Sequence, residues 1–205
     1  MRRLLVLAGL LAISSIPASA QITPKYEGGA GFDYTRFGPQ SLTATTSTYQ
    51  LQMLGWNVNG VYNLRKLFGV AFDVSGIYNR QISSSPNVGN ATTQVYPFLV
   101  GPRFYPLGHR RLTLFGQILV GGAYERLSAP ALPPFPSAVL TSTGFAWEGG
   151  FGVDYRLKDH WAFRLLEVDY LDSWYNGSPS GSERATVGVV YRWGVAGIHR
   201  RKKKK

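Results

Sequence analysis

The stretch GFAWEGGFGVDYRLKDHWAFRLLEVDY, residues 144–170, alternates apolar and polar side chains on both sides of a KDH turn. Phe145, Trp147, Phe151, Val153 and Tyr155 fall on one side of an extended chain, and Glu148, Asp154 and Arg156 on the other. The charges are either a catalytic cluster or the polar side of a strand whose other side is apolar. The second half has a phase problem. Arg164 and Asp169 are five apart and fall on opposite faces of a regular strand, whereas Glu167 and Asp169 share one. Bringing Arg164, Glu167 and Asp169 to one side requires one extra residue, a β-bulge near Leu165–Leu166.

The same period of two runs from residue 25 to 193 and predicts eight strands, at about 25–37, 49–63, 68–79, 92–105, 112–125, 143–156, 161–172 and 183–193. In each, large apolar residues oppose Gly, Asn or charged residues. Phe32 and Tyr34 oppose Glu27 and Asp33, for example, and Val70 and Phe72 oppose Asp73. The connections at 38–48, 80–91, 126–142 and 173–182 are long and rich in Ser, Thr, Pro, Asn and Gly. Those at 64–67, 106–111 and 157–160 are short. Long alternating with short is the pattern of an up-and-down antiparallel meander.

Composition narrows the setting. Residues 1–20, MRRLLVLAGLLAISSIPASA, have a basic start, an apolar stretch from Leu4 to Ile16 and a small-residue Ala-Ser-Ala end. This predicts a signal peptide cut before Gln21; the apolar run is shorter than the roughly 20 residues of a membrane anchor. The chain has no cysteine, which removes disulfides and Cys-based metal sites. The formal charge of +11 is concentrated at the ends. Without Arg2, Arg3 and the six basic residues 200–205, fourteen basic side chains face eleven acidic ones, a net of +3. That excludes a nucleic-acid footprint across the body. Glycine (24), aromatic residues (14%) and few charges (16%) suit strands with an apolar, aromatic-rimmed outer face.

These features predict an all-β fold: an eight-stranded antiparallel up-and-down transmembrane β-barrel over 21–194, followed by a basic tail, 195–205. In hydrocarbon every backbone N–H and C=O must be paired, so a spanning sheet has to close. The interior of an eight-stranded barrel is just filled by side chains. The inward charges Glu27, Asp33, Asp73, Arg103, Glu125, Glu148, Asp154, Arg156, Arg164, Glu167, Asp169, Arg184 and Arg192 are then expected to form a structural ion-pair network, because buried charges must be matched. Tyr62, Phe68, Phe104, Tyr155, Trp161, Tyr191 and Trp193, near the short turns or at the end of the last strand, are expected to form a membrane-interface girdle. The competing arrangement is a soluble lipocalin-like barrel, with large residues inside and charges outside. Pro97 and Pro102 strain the closed barrel, which has no edge strand to accept them.

The sequence resembles the small OmpA-like and OmpX-like outer-membrane β-barrels, the porin-family or "outer membrane protein beta-barrel domain" type. The carrying segments are GWNVNGVYNL with FGVAFDVSGIY, FLVGPRFYPL with RLTLFGQILVGGAY, FGVDYRLKDHWAFRLLEVDYLDSWY, and the closing VGVVYRW. The resemblance implies a Gram-negative outer-membrane location with both termini periplasmic, and insertion by the barrel-assembly machinery, which reads an aromatic-ended last strand such as Tyr191 and Trp193. The chain departs from that pattern by continuing with GVAGIHRRKKKK.

No chemistry-bearing motif competes. Glu148 and Asp154 are six residues apart, about 20 Å on one strand, too far for a glycosidase pair. His109, His160 and His199 lie in short turns and the tail, without metal-ligand spacing, and no G-x-S-x-G, P-loop or dinucleotide fingerprint occurs. No catalytic residue, metal or cofactor is expected. The partners expected are outer-membrane lipid, the assembly machinery, and a surface partner reached through loops 80–91 and 126–142, with Leu132 and Phe135 as anchors. A monomer is expected, and no nucleic acid. The basic tail, with Arg65, Lys66, Arg110, Arg111 and Lys158 of the short turns, suits anionic headgroups. The function expected is a structural or surface-interaction role. The alternatives are a narrow pore and, third, a lipid-modifying enzyme, whose Ser/His pair belongs at the opposite rim from these histidines.

Overall fold

Eight antiparallel strands, each paired with its neighbours in the chain and the last with the first, make a closed barrel in the computed structural model. The structure describes residues 24–37, 52–80, 92–108, 111–129, 131, 137–175 and 178–194. The expected signal peptide, the basic tail beyond 194, His109, Arg110, His199, Leu132 and Phe135 lie outside the described residues. The strands are β1 (Tyr26–Phe37), β2 (Gln52–Arg65), β3 (Phe68–Arg80), β4 (Thr92–Gly108), β5 (Leu112–Ala129), β6 (Ala138–Arg156), β7 (Trp161–Tyr175) and β8 (Ser178–Trp193). Closure is made by β1 and β8, in register from Tyr26 opposite Trp193 to Phe37 opposite Ser182. Both described chain ends lie at the short-turn end, where the Lys25 N–H donates to the Gly194 carbonyl (3.2 Å).

The two faces are inverted relative to a soluble domain. Phe32 is 78% exposed, Leu54 70% and Phe151 64%, whereas Glu148, Asp154 and Arg184 are at most 1% exposed. Leaving such a side chain in water forgoes roughly 1.5–3 kcal/mol each. The arrangement is stable only where hydrocarbon replaces water, and it excludes the lipocalin-like alternative.

Strand ends depart from the sequence reading mainly at the long-loop side. Arg126–Ala129 pairs with Ala138–Thr141, so β5 and β6 run on as a ribbon where the prolines of 126–142 had predicted an unpaired loop. All the prolines of that segment fall at 130–136, between the two strands. Likewise 173–182 is not a long loop: β7 and β8 pair out to Tyr175 opposite Ser178. Its Ser, Asn, Pro and Gly residues predict a loop, but the pairing of both strands outweighs their weak local preferences.

The prolines are accommodated without a strand end. Alternate residues of an antiparallel strand point their backbone groups at opposite neighbours. The pairing of β4 to β3 lapses across Tyr96–Pro97, and that to β5 across Gly101–Pro102, with register kept on both sides. Each proline therefore removes one ladder bond, on one side only. A register shift in β4 lies between Phe104 and Leu107, around Pro106.

The bulge in β7 is where the phase argument required it. Asp154 opposes Arg164 and Val153 opposes Leu166, which leaves Leu165 without a partner in β6. On the other side the register shifts between Arg164 and Glu167. Leu165 and Leu166 are both exposed, and Arg164, Glu167 and Asp169 are all buried. Deleting Leu165 removes the extra residue, so that Arg164 and Glu167, then two apart, share the inward face of a regular ladder. The deletion variant is expected to keep the mobility difference between unheated and boiled samples on a denaturing gel that marks a folded barrel; loss of the shift would show that the bulge does more than correct the phase of β7.

Candidate functional site

The period-two pattern delivers polar side chains from all eight strands into the barrel, where they form one connected network. At the short-turn end Glu27 accepts hydrogen bonds from the Asn63 amide (2.9 Å), the Tyr105 hydroxyl (3.0 Å) and Arg192 Nε (3.3 Å). Arg192 also reaches Asp154 (2.9 Å). Asp154 accepts in turn from Arg164 Nε (3.0 Å), and Arg164 Nη1 donates to Glu167 (2.7 Å). The Gln117 amide nitrogen joins Glu167 (2.9 Å) to Glu148 (3.1 Å), while its oxygen accepts from Arg103 Nε (2.9 Å). Arg103 lies 3.7 Å from Glu167.

The far end of the network is organised by one guanidinium. Arg184 faces Glu148 (2.7 Å), Asp169 (3.3 Å), Asp73 (3.3 Å) and Asp33 (3.8 Å), and donates to the Ser75 hydroxyl (3.0 Å). Asp33 also accepts from Thr186 (2.7 Å), and Asp73 from the Asn57 amide (3.2 Å). Charge-assisted, multiply satisfied contacts are the arrangement in which buried ions are tolerated. Beyond this level the interior turns apolar, with Met53, Ile77, Val95, Ala123, Ala146 and Leu171 buried and Tyr175 packed against them.

Two glycines make the packing possible. A Cβ on Gly152 would run into the Phe115 ring, over which the guanidiniums of Arg103 and Arg164 both lie (4.3 and 4.6 Å from its centroid). A Cβ on Gly150 would meet the Asp169 carboxylate. Stacking on an aromatic face stabilises a buried cation by about 2 kcal/mol where water is excluded.

Of the thirteen charges expected inside, eleven are buried and joined as described, with the exceptions of Glu125 and Arg156. Both of these are half-buried, Glu125 toward the long-loop rim and Arg156 beside the 157–160 turn. Sequence reasoning passed over Asn63, Tyr105, Phe115 and Gln117 as network members. Their parity would have found them: Tyr105 is two residues from Arg103, and Phe115 two from Gln117. The expected girdle residues all point outward. Tyr26, Tyr62, Trp193, Tyr191 and Trp161 touch ring to ring at 4.9–5.8 Å, and Phe68 touches Phe104 at 5.3 Å. Tyr155 is half-exposed on the same outer face.

A closed eight-stranded barrel with this inverted surface matches a known family model, the outer membrane protein beta-barrel domain, across residues 5–192. The chain belongs to that family. Membership of the outer membrane protein beta-barrel domain family places the chain in the outer membrane. Among solved structures, the attachment invasion locus protein Ail of Yersinia pestis, in complex with the heparin analogue sucrose octasulfate, is 15% identical. The match covers 83% of this chain and 99% of Ail, with a TM-score of 0.57. Neisserial surface protein A is 12% identical over 82% of this chain and 97% of its own, with a TM-score of 0.53. These likenesses are of fold. No curated protein matches the sequence.

The network's worth is measurable. Arg184→Gln leaves four buried carboxylates facing a neutral amide and is expected to destabilise the barrel by about 3–5 kcal/mol. Tyr105→Phe, which removes one hydrogen bond to Glu27, is expected to cost about 1–3 kcal/mol. Urea unfolding in lipid vesicles, with the exposed Arg126→Gln as the neutral control, checks both.

Proposed function

We propose that this protein is a structural and surface-interaction barrel of the outer membrane, without a conducting lumen and without catalysis. Its turns and both termini are periplasmic, and its strand extensions and long loops are external. The observation that carries the reading is the interior: none of the eleven networked charges is more than 3% exposed. A pore needs a wetted path, and a hydrolase needs a nucleophile that substrate can reach. Here every strand contributes an ion or amide that locks to another, which suits a rigid support for what lies outside.

The external side has a definite chemistry. The segments 38–51, 81–91, 130–137 and 176–177 contain no Lys, Arg, Asp or Glu. Ail was crystallised with a polyanionic heparin analogue. A polyanion has no complementary charge in these loops, so a partner held through them is recognised by uncharged polar and apolar contacts, to which the exposed Val139 and Leu140 of the β6 extension add. Attachment through them is expected to be insensitive to salt.

Two measurements test the reading. In planar bilayers the purified barrel is expected to give no reproducible single-channel steps, and Arg103→Ala or Glu148→Ala no altered ones. Steady conductance that changes with either substitution establishes the pore instead. Replacing 131–137 by a Gly-Ser linker is expected to abolish attachment of expressing cells to their target surface while leaving barrel folding intact. Unchanged attachment removes the loop from the account.

A further inference from the structure

The charge that the external loops lack is gathered at the other end of the barrel. Lys25, Arg65, Lys66, Arg111 and Lys158 are exposed there, with Asp159 the one exposed carboxylate among the described residues of that rim. They are not a pocket. Lys25 precedes β1, Arg65 and Lys66 form the β2–β3 turn, Arg111 enters β5, and Lys158 lies in the β6–β7 turn, so the cations are spread around the circumference. The long-loop rim carries fewer exposed cations, Arg36 and Arg126, with the exposed Glu183 opposite Arg36.

The position of these cations along the membrane normal is fixed by the girdle. Lys25 Nζ lies over the rings of both Tyr26 and Tyr62, 5.6 and 5.8 Å from their centroids. Arg111 donates to the Tyr155 hydroxyl (3.4 Å). Girdle aromatics sit at headgroup depth. Cations held against them are therefore level with lipid phosphates, within the Debye length over which the attraction acts.

We propose that this rim is a binding surface for anionic phospholipid headgroups, selecting them into the shell of lipid around the turn end of the barrel. The ring geometry sets the expected magnitude. Each lipid in the shell meets about one basic side chain, so selectivity is about fivefold, the equivalent of one Lys or Arg beside an anionic surface, rather than the product over five. The inference rests on the membrane-spanning reading but not on which side of the membrane the turns face.

The test uses the full chain folded into phosphatidylcholine vesicles containing trace spin-labelled phosphatidylglycerol or phosphatidylcholine. The motionally restricted fraction of each probe gives their relative association with the barrel. Phosphatidylglycerol is expected to be favoured about fivefold at low salt and to lose most of that preference in 0.5 M salt, where the Debye length falls to about 4 Å. The combined Lys25→Gln, Arg65→Gln, Lys66→Gln, Arg111→Gln and Lys158→Gln variant is expected to bring the ratio near one while remaining heat-modifiable. A variant ending at residue 198 is expected to keep most of the preference. No preference in the parent chain, a preference that survives the five substitutions, or one abolished by the truncation alone overturns the proposal. Failure of the parent chain to restrict any lipid or to shift on heating instead removes the membrane-spanning reading beneath it.

Discussion

Hydrocarbon offers no hydrogen bonds, and the rest of the structure follows from that. A sheet placed in it has to pair both edges, so β1 must find β8. Closing eight strands leaves an interior only wide enough for side chains. The face turned inward cannot be washed by water, and the face turned outward cannot be polar. The period-two sequence meets both demands at once, with Phe, Val and Leu on one parity and Gly, Asn, Gln, Asp, Glu and Arg on the other. Once the charges are confined, they must match. Seven buried carboxylates are served by four buried guanidiniums, with Asn, Gln, Thr and Tyr donors completing the set.

The matching explains several local irregularities as consequences of one requirement. The β7 bulge exists because Arg164 has to reach Asp154 and Glu167 at the same time. Gly152 is bare because Phe115 needs its space, and Phe115 is needed because two guanidiniums lie over it. Pro97 and Pro102 are tolerated because their missing N–H groups point to different neighbours, so neither seam of β4 loses two adjacent bonds.

The parts of this arrangement that the sequence reveals are those set by parity. The strand number, the two faces, eleven of the inward charges and the bulge all follow from counting residues in 144–170 and its counterparts. The parts it conceals depend on partners far away in the chain. Arg126–Ala129 and Ala138–Thr141 look like loop on either side of a proline run, and only their pairing with each other makes them strand. Which carboxylate Arg184 holds is set by the register of four other strands. Parity with Arg103 and Gln117 puts Tyr105 and Phe115 inside, but as uncharged residues they show their part in the network only through their contacts with Glu27, Arg103 and Arg164. The apolar layer around Met53, Ile77 and Leu171 escapes notice because aliphatic residues inside and outside a barrel look alike in sequence.

The central claim is that the apolar face of these strands meets lipid. The chain has no cysteine, so single cysteines can be introduced at Phe72, Phe98, Phe151 and Val189 without altering any other residue. All four positions are outward and exposed. Spin labels there, in the barrel folded into lipid vesicles, report by power saturation whether they collide with oxygen, which dissolves in hydrocarbon, or with a water-soluble nickel chelate. The account predicts strong oxygen contact and little nickel contact at all four. Nickel contact as high as that of a label on the exposed turn residue Lys158 would place this face in water and contradict the account.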